Sequence, residues 1–310
     1  MKTWFALILL SLPLMAGEFV KVTEKKRVQI NPVSTQLQEK VQNKALYAEI
    51  VPHLSANDVW KSVLYIRNDS GFATEFIVEF FAPNGDLVKA SFLDSDNNEI
   101  YDNYYDRILD GWEIITLEFD YLEFGASFQA FVYADESVSY SVEALFNRYD
   151  TNFNKQASVG VKGSFPGYFK ILNVEERTDL FSETFNFRAF ALTNTTDNFC
   201  DCTVELYDDG LFGVNLDGPL AIDDQNVFME PRGKSVWYIS DLFDVSVLPK
   251  GFGYILIDCS QVVTAMGLTF DEGNPNLAGS VPIDTIEFVN KDGKRGTRPA
   301  RETEKSDRTR

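Results

Sequence analysis

Three cysteines, one histidine and one acidic-aromatic passage are the parts of this chain whose residue types and spacing could do chemistry. Cys200 and Cys202 stand two apart in an alternating run with Val204 and Leu206, so all four side chains project from one face of a strand. Cys259 closes the apolar run Tyr254 to Ile257. Free thiols are uncommon in an oxidising compartment, so a bridge from Cys259 to either Cys200 or Cys202 is expected there. It would close a loop of roughly 58 residues, worth about 4 kcal/mol through the entropy it removes from the unfolded chain. A bridge between Cys200 and Cys202 themselves is disfavoured, because i and i+2 Cα atoms stand about 6.6 Å apart with parallel side chains. The third cysteine is left as a buried thiol or an intermolecular bridge. A lone C-x-C pair with one distant Cys and no nearby His falls short of a four-ligand zinc site.

His53 is the only histidine, so a Ser–His–Asp or Cys–His hydrolase would have to run through it, and no G-x-S-x-G elbow is present. It is expected instead to hydrogen-bond a turn at the mouth of the first folded module. The passage from Asp94 to Asp106 interleaves oxygen-bearing and aromatic side chains. Asp94, Asp96, Asn98 and Asp102 are the candidate ligands for Ca²⁺, a cation that takes six to eight oxygens. The helix–loop–helix calcium pattern fails there, since Glu99 stands where Gly is required and Tyr105 where the bidentate Glu belongs. Tyr101, Tyr104 and Tyr105 are candidates for stacking on a sugar ring or a protein partner. A solvated loop between strands is the plainer reading of the same stretch. Among 47 acidic residues no pair at the separation of about 5 to 9.5 Å that glycoside cleavage needs can be singled out, so no catalytic residue is assigned. Asn68-Asp69-Ser70 and Asn194-Thr195-Thr196 match the N-glycosylation acceptor pattern, and their amide and hydroxyl groups equally suit the closing of hairpin turns.

The elements that must hold these residues read as strands. A chain of 310 residues with 45% hydrophobic and 24% charged side chains is globular and long enough for two cores. Its 26 Phe and 13 Tyr suit half-buried pleated surfaces. Two stretches repeat one another. Leu64 to Asn68, a polar turn, Phe76 to Phe81 and Pro83-Asn84-Gly85 parallel Phe190 to Asn194, a turn, Cys202 to Tyr207 and Asp208-Asp209-Gly210. The likeness continues from Gly111–Phe119 to Gly233–Asp241 and from Phe131–Phe146 to Ile255–Phe270. Period-two alternation bounded by Asn, Asp, Gly and Pro is the hairpin signal, and several short strands per copy predict a β-sandwich.

The Pro52-His53 pair, Trp60, the L-x-I-x-N strand end at Leu64 to Asn68 and the aromatic-ended strand before a Gly turn resemble the immunoglobulin-like β-sandwich modules, often tandem, of secreted bacterial proteins of unassigned function. The resemblance covers about 47–149 and, without the Pro-His pair, 169–274. It implies an exported all-β protein of two tandem immunoglobulin-like antiparallel sandwiches and brings no catalytic residue with it. The expected division is a signal peptide over 1–17, a lead-in over 18–45, a first module over 46–150, a linker over 151–168, a second module over 169–289 and a disordered basic tail over 290–310.

Lys2, the apolar run Trp4 to Leu14 and the small residues Ala16 and Gly17 carry the signal-peptide reading. The run is shorter than the about 20 apolar residues a bilayer crossing takes, so the chain is not expected to span a membrane. The destination is periplasmic, cell-surface or extracellular. After Asn290 eight Lys or Arg face four Asp or Glu, so a tail of +4 follows a body of −23 within the net −19. That charge repels phosphate and excludes a nucleic-acid partner. The expected function is that of a non-catalytic binding or structural protein, engaging a protein or a cell-surface polysaccharide with no cofactor unless Ca²⁺. The alternative is an extracellular hydrolase acting on polysaccharide.

Overall fold

The computed structural model describes residues 18–22, 27–41, 46–122, 127–174, 186–210, 220–244, 252–271 and 278–289. The expected signal peptide (1–17) and basic tail (290–310) lie outside them. Within the described residues the chain forms strands β1 (Glu18–Lys21) and β2 (Val28–Gln29), helix α1 (Thr35–Lys40), and strands β3 (Leu46–Ser55), β4 (Trp60–Asn68), β5 (Thr74–Phe81), β6 (Ala90–Leu93) and β7 (Glu99–Asp102). There follow β8 (Tyr104–Leu109), β9 (Ile114–Leu122), β10 (Ser127–Asp135), β11 (Tyr140–Tyr149), β12 (Lys155–Val161) and β13 (Gly167–Val174). The rest comprises β14 (Asn186–Asn194), β15 (Cys200–Gly210), β16 (Leu220–Met229), β17 (Lys234–Tyr238), helix α2 (Ile239–Leu242), β18 (Phe252–Asp271), β19 (Ala278–Val281) and β20 (Ile283–Val289). Every strand pairing among them is antiparallel, as expected of an all-β chain.

In the first half the strands make one sheet in the order β2-β3-β10-β5-β8 and a second in the order β12-β11-β4-β9-β6-β7. The alternation of β4 and β5 explains their burial. Leu64 and Ile66 point inward from one sheet, Phe76, Val78 and Phe80 from the other, and together they form the main core. Edge-on rings tighten it, with Phe80 at 5.3 Å from Phe119 and 5.9 Å from Phe128. In the second half the order β20-β13-β18-β15-β16 follows that of the first sheet, and β19-β18-β14-β17 follows β12-β11-β4-β9 of the second, without counterparts of β6 and β7. One 20-residue strand, β18, serves both layers: Gly253–Cys259 lies between β13 and β15, and Val263–Asp271 between β14 and β19. The first half uses two separate strands, β10 and β11, for the same places. A second core, which holds the cysteines, fills this half.

Residues 151–168 do not form a bare connection. Their Gly, Ser and Asn content reads as a linker, yet Lys155 to Val161 alternate, pair with β11, and bury Val159 and Val161 in the first core. The lead-in is likewise structured. β1 pairs with β20 of the second half and β2 with β3 of the first. Ile30, Leu37 and Val41 then cover the outer face of the first sheet against Ile77, Phe81, Phe131 and Tyr133.

The repeated Asn is the local device that closes each half. Asn68 Nδ2 donates to the carbonyls of Phe72 (2.9 Å), Leu109 (3.1 Å) and Asp110 (3.0 Å), and Asn194 Nδ2 to those of Asn198 (2.6 Å) and Glu230 (3.0 Å). The Asn68 backbone N–H donates to Glu113 O, and that of Asn194 to Gly233 O, each at 2.9 Å. Both residues are fully buried, so the amides are committed to turns. Two turn residues correspond by the same criterion. Trp112 N–H donates to Ser70 O and Arg232 N–H to Thr196 O, and both residues take positive φ, 69° and 55°. The sequence comparison sets Gly111 against Gly233. The hydrogen bonds instead set Trp112 against Arg232, because the positive-φ position and not the glycine recurs.

The two halves are locked by buried polar contacts around Arg232. Its guanidinium donates to Asn31 O (2.8 Å), Tyr133 Oη (3.3 Å) and Asp197 Oδ1 (2.6 Å) and lies 3.8 Å from Glu79 Oε2. Glu79 accepts from the backbone N–H of Val33 (2.8 Å), that of Ser34 (2.7 Å) and the hydroxyl of Tyr133 (2.8 Å). Burial raises its proton affinity above the ordinary carboxylate range in spite of these donors. Beside it, Gln129 Nε2 donates to Arg232 O at 2.7 Å and Lys234 N–H to Pro83 O at 2.8 Å. Gly85, at φ 85°, lets this turn come so close that a Cβ would lie 1.9 Å from Pro231 O.

Truncating Arg232→Ala leaves Glu79 buried without its cation, and the expected loss is about 3–5 kcal/mol. Pairing it with Glu79→Gln should recover a substantial part of that loss. Urea unfolding midpoints of the single and double variants check both expectations.

Candidate functional site

Of the cysteine alternatives, the structure pairs Cys202 with Cys259. They stand directly opposite in the β15–β18 register, with Cα atoms 4.0 Å apart and sulfurs 2.06 Å apart. Cys200 lies one step further along the strand, opposite Met229 on β16, and its Sγ is 3.6 Å from that of Cys202. It is a buried thiol whose pKa is raised, chiefly by burial. Among the described residues these three are the one set of Cys, His, Asp or Glu groups whose ligand atoms all lie within 4.8 Å of one another. Two of the three are spent on the bridge, so the cluster works as a covalent strut within the second core.

An arginine stands among the Ca²⁺ candidates. Asp94 Oδ1 accepts the backbone N–H groups of Asp96 and Asn98 at 2.9 Å, and Asn98 Nδ2 takes Oδ2 at 3.1 Å. Burial pulls the Asp94 proton affinity up, and the Asn98 and Asp96 donors outweigh it, holding the carboxyl below the usual range. Arg107 fills the cationic place, 2.7 Å from Asp96 Oδ2, 3.5 Å from Glu113 Oε1 and 4.0 Å from Asp94 Oδ2. Asp102 takes no part. It sits on β7 with Oδ1 accepting from Asn103 N–H. The Asp94 oxygens thus face N–H donors, and Asp96 Oδ2 faces a guanidinium.

The three tyrosines separate in the same way. Tyr105 is buried against Phe92 in the first core, Tyr104 is partly buried against the lead-in cluster, and Tyr101 is exposed with Lys89 Nζ 5.4 Å from its ring. The larger exposed apolar group lies elsewhere. The turns after β4 and β8 pack backbone on backbone, where a Cβ on Gly111 would meet Gly71 C at 2.6 Å. They carry Phe72 (54% exposed) and Trp112 (69% exposed), flanked on β8 and β9 by Ile108 and Ile114, which are also exposed. Sequence reasoning passed over this tip. The available signal was a large aromatic placed inside each of two polar turns, Asn68-Asp69-Ser70-Gly71-Phe72 and Asp110-Gly111-Trp112.

His53 lies on β3 at the seam between the halves and not in a turn. Its ring stacks on Phe146 at 5.7 Å, its Nε2 is 3.1 Å from Ser55 Oγ, and its Nδ1 is 3.2 Å from Lys234 Nζ. Lys234 also donates to Phe128 O at 2.8 Å. Burial, and then the Lys234 charge, push the His53 pKa well below its ordinary value, so the imidazole is neutral at physiological pH. Burial also pushes the Lys234 pKa well below its ordinary value, and where Lys234 donates to Nδ1 the ring carries its proton on Nε2. In that tautomer Nε2 donates to Ser55 Oγ, 3.1 Å away.

No protein-family model matches the chain, and no curated protein matches it. Among solved structures the chain is similar to one titled "Biofilm associated protein - B domain", at 8% identity over 89% of this chain and 86% of that one. The TM-score is 0.22, too low to carry an argument about fold or function. No helix among the described residues is long and apolar enough to cross a membrane.

Two measurements test the site. Non-reduced peptide mapping should find Cys202 joined to Cys259, with Cys200 alkylated only after denaturation, and Cys202→Ser should cost about 4 kcal/mol for a bridge spanning 57 residues. Because the folded pKa of His53 lies below its unfolded value near 6.5, its contribution to stability is complete above that pH and is lost as the pH falls below it. The stability of the wild type relative to His53→Gln should therefore drop by up to about 1.4 kcal/mol per pH unit on acidification below pH 6.5.

Proposed function

We propose that the chain is an exported, non-catalytic binding or structural protein that engages a protein or a cell-surface polymer through the aromatic tip of its first half. One observation carries this reading. The turn that presents Trp112 recurs in the second half with Arg232 at the same position, and there it serves as a plug driven into a neighbouring sandwich. Arg232 is 5% exposed in that role, and Trp112 is 69% exposed. A tryptophan and a phenylalanine at the end of a rigid scaffold supply large, low-entropy contact area of the kind found at interface hot spots. The Cys202–Cys259 bridge fits an oxidising destination.

The hydrolase reading asks for two facing carboxylates in a cleft, one with raised proton affinity. Glu79 has the raised affinity, and it is enclosed by two backbone N–H groups, Tyr133 and Arg232. That environment favours the binding reading.

Co-sedimentation with cell envelopes of the producing cell tests the proposal, using envelopes with and without prior protease treatment to separate a protein target from a polymer. The wild type should sediment, and the Phe72→Ala, Trp112→Ala double variant should bind roughly thirtyfold more weakly with unchanged thermal stability. Equal sedimentation of both proteins, or none of either, would refute the tip as the binding element.

A further inference from the structure

Where the second sheet of the second half meets the first half, the chain leaves a cleft of about 190 Å³. Its cause is legible in β14. Phe190 and Leu192 point into the second core, so Ala189 and Ala191 face the other way, and their methyl groups are too short to fill the seam. Met266 of β18 and Tyr238 of β17 stand beside them. Trp60, Phe146 and Val159 of the first half form the opposing wall. The lining is mostly apolar, with a polar end at His53 and Ser55 and polar edges on Trp60 and Tyr238.

That polar end has a direction. Lys234 Nζ lies 3.2 Å from His53 Nδ1, and His53 Nε2 lies 3.1 Å from Ser55 Oγ; with Lys234 as the donor at Nδ1, the ring proton stands on Nε2 and is given to Ser55 Oγ. The Ser55 oxygen is thereby occupied as an acceptor, and its hydroxyl hydrogen remains to be given. Ser55 is 7% exposed, so the surroundings offer that hydrogen little beyond what enters the cleft. The buried lysine, the imidazole and the serine form a relay that ends in a single donor at the foot of an apolar recess.

We propose that this cleft binds a small apolar molecule, of the size of one substituted ring or a short acyl group, that carries one hydrogen-bond acceptor to receive the Ser55 hydroxyl. The volume decides the size class, since an apolar cavity of about 150 Å³ accommodates benzene. The relay decides the polarity, because a second polar group on the ligand would meet Trp60, Phe146 and Met266 and lose its hydration without compensation. This site lies in the seam and is separate from the Phe72–Trp112 tip, so it stands or falls independently of the envelope-binding proposal.

Acetophenone and ethylbenzene serve as probes, being nearly the same shape and differing by one carbonyl acceptor. Titration of the full chain with each, followed by methyl NMR, gives both the affinity and the location. Both should shift the methyl signals of Met266, Val159 and Ala191. Ser55→Ala should lower the ratio of acetophenone to ethylbenzene affinity about three- to tenfold, the worth of one hydrogen bond. Ala191→Leu should abolish both titrations, with circular dichroism confirming that this variant is folded. Absence of binding by either probe, shifts confined to another part of the wild-type protein, or an affinity ratio unchanged by Ser55→Ala would each overturn the proposal.

Discussion

A buried guanidinium holds this molecule together. Arg232 reaches from the second half into a space shared by the lead-in, through Asn31, and by two strands of the first sheet, through Glu79 and Tyr133. Burying a cation is costly unless its donors are met, and a planar fork of five N–H groups can meet several acceptors at once where an ammonium would not. Glu79 faces the same demand and answers it with three donors of its own. Each partner comes from a distant part of the chain, so the cluster forms only when lead-in, first half and second half are all in register. A satisfied polar group in such a place specifies one arrangement among the many that apolar contact alone would tolerate.

The turn that carries Arg232 also shows how one local structure can serve two ends. Asn68 and Asn194 close their hairpins with two corresponding side-chain hydrogen bonds, and a residue of positive φ follows in each. The backbone is conserved between the halves while the side chain at the tip is not. With arginine the tip is consumed inside the molecule, and with tryptophan it faces outward. The difference lies in one side chain and in what stands opposite it.

In the second half, β18 runs through both layers, and the disulfide sits at its crossing. Cys259 ends the part of β18 that pairs with β15, and from Val263 onward the strand belongs to the other layer. The bridge to Cys202 anchors the strand just before it changes sheets, where the ladder is interrupted between Cys259 and Val263. The first half needs no such anchor there, because β10 and β11 are separate strands joined by a turn.

Much of this was legible in the residues. Alternation in Leu64–Asn68 and Phe76–Phe81 determined the strands, since period-two burial depends only on the local pleat. The Asn turns and the preference of Cys259 for a partner on Cys200–Tyr207 followed from spacing. Whether that partner is Cys200 or Cys202 depended on cross-strand register, which no local pattern encodes. The strand within 155–161 was masked by its Gly and Ser content, and the lead-in by its charges, because both owe their order to surfaces supplied by other segments. Nothing local in the acidic passage signals that β8 brings Arg107 beside Asp96. Glu79, Lys234 and Arg232 read as ordinary polar residues of strands and turns, yet the lead-in and the meeting of the two halves enclose them. Local periodicity thus settled which segments pleat and which turn, through forces acting over a few residues. The polar seam, the cleft beside it and the exposed tip were decided by tertiary packing, because burial and electrostatic environment belong to no single segment.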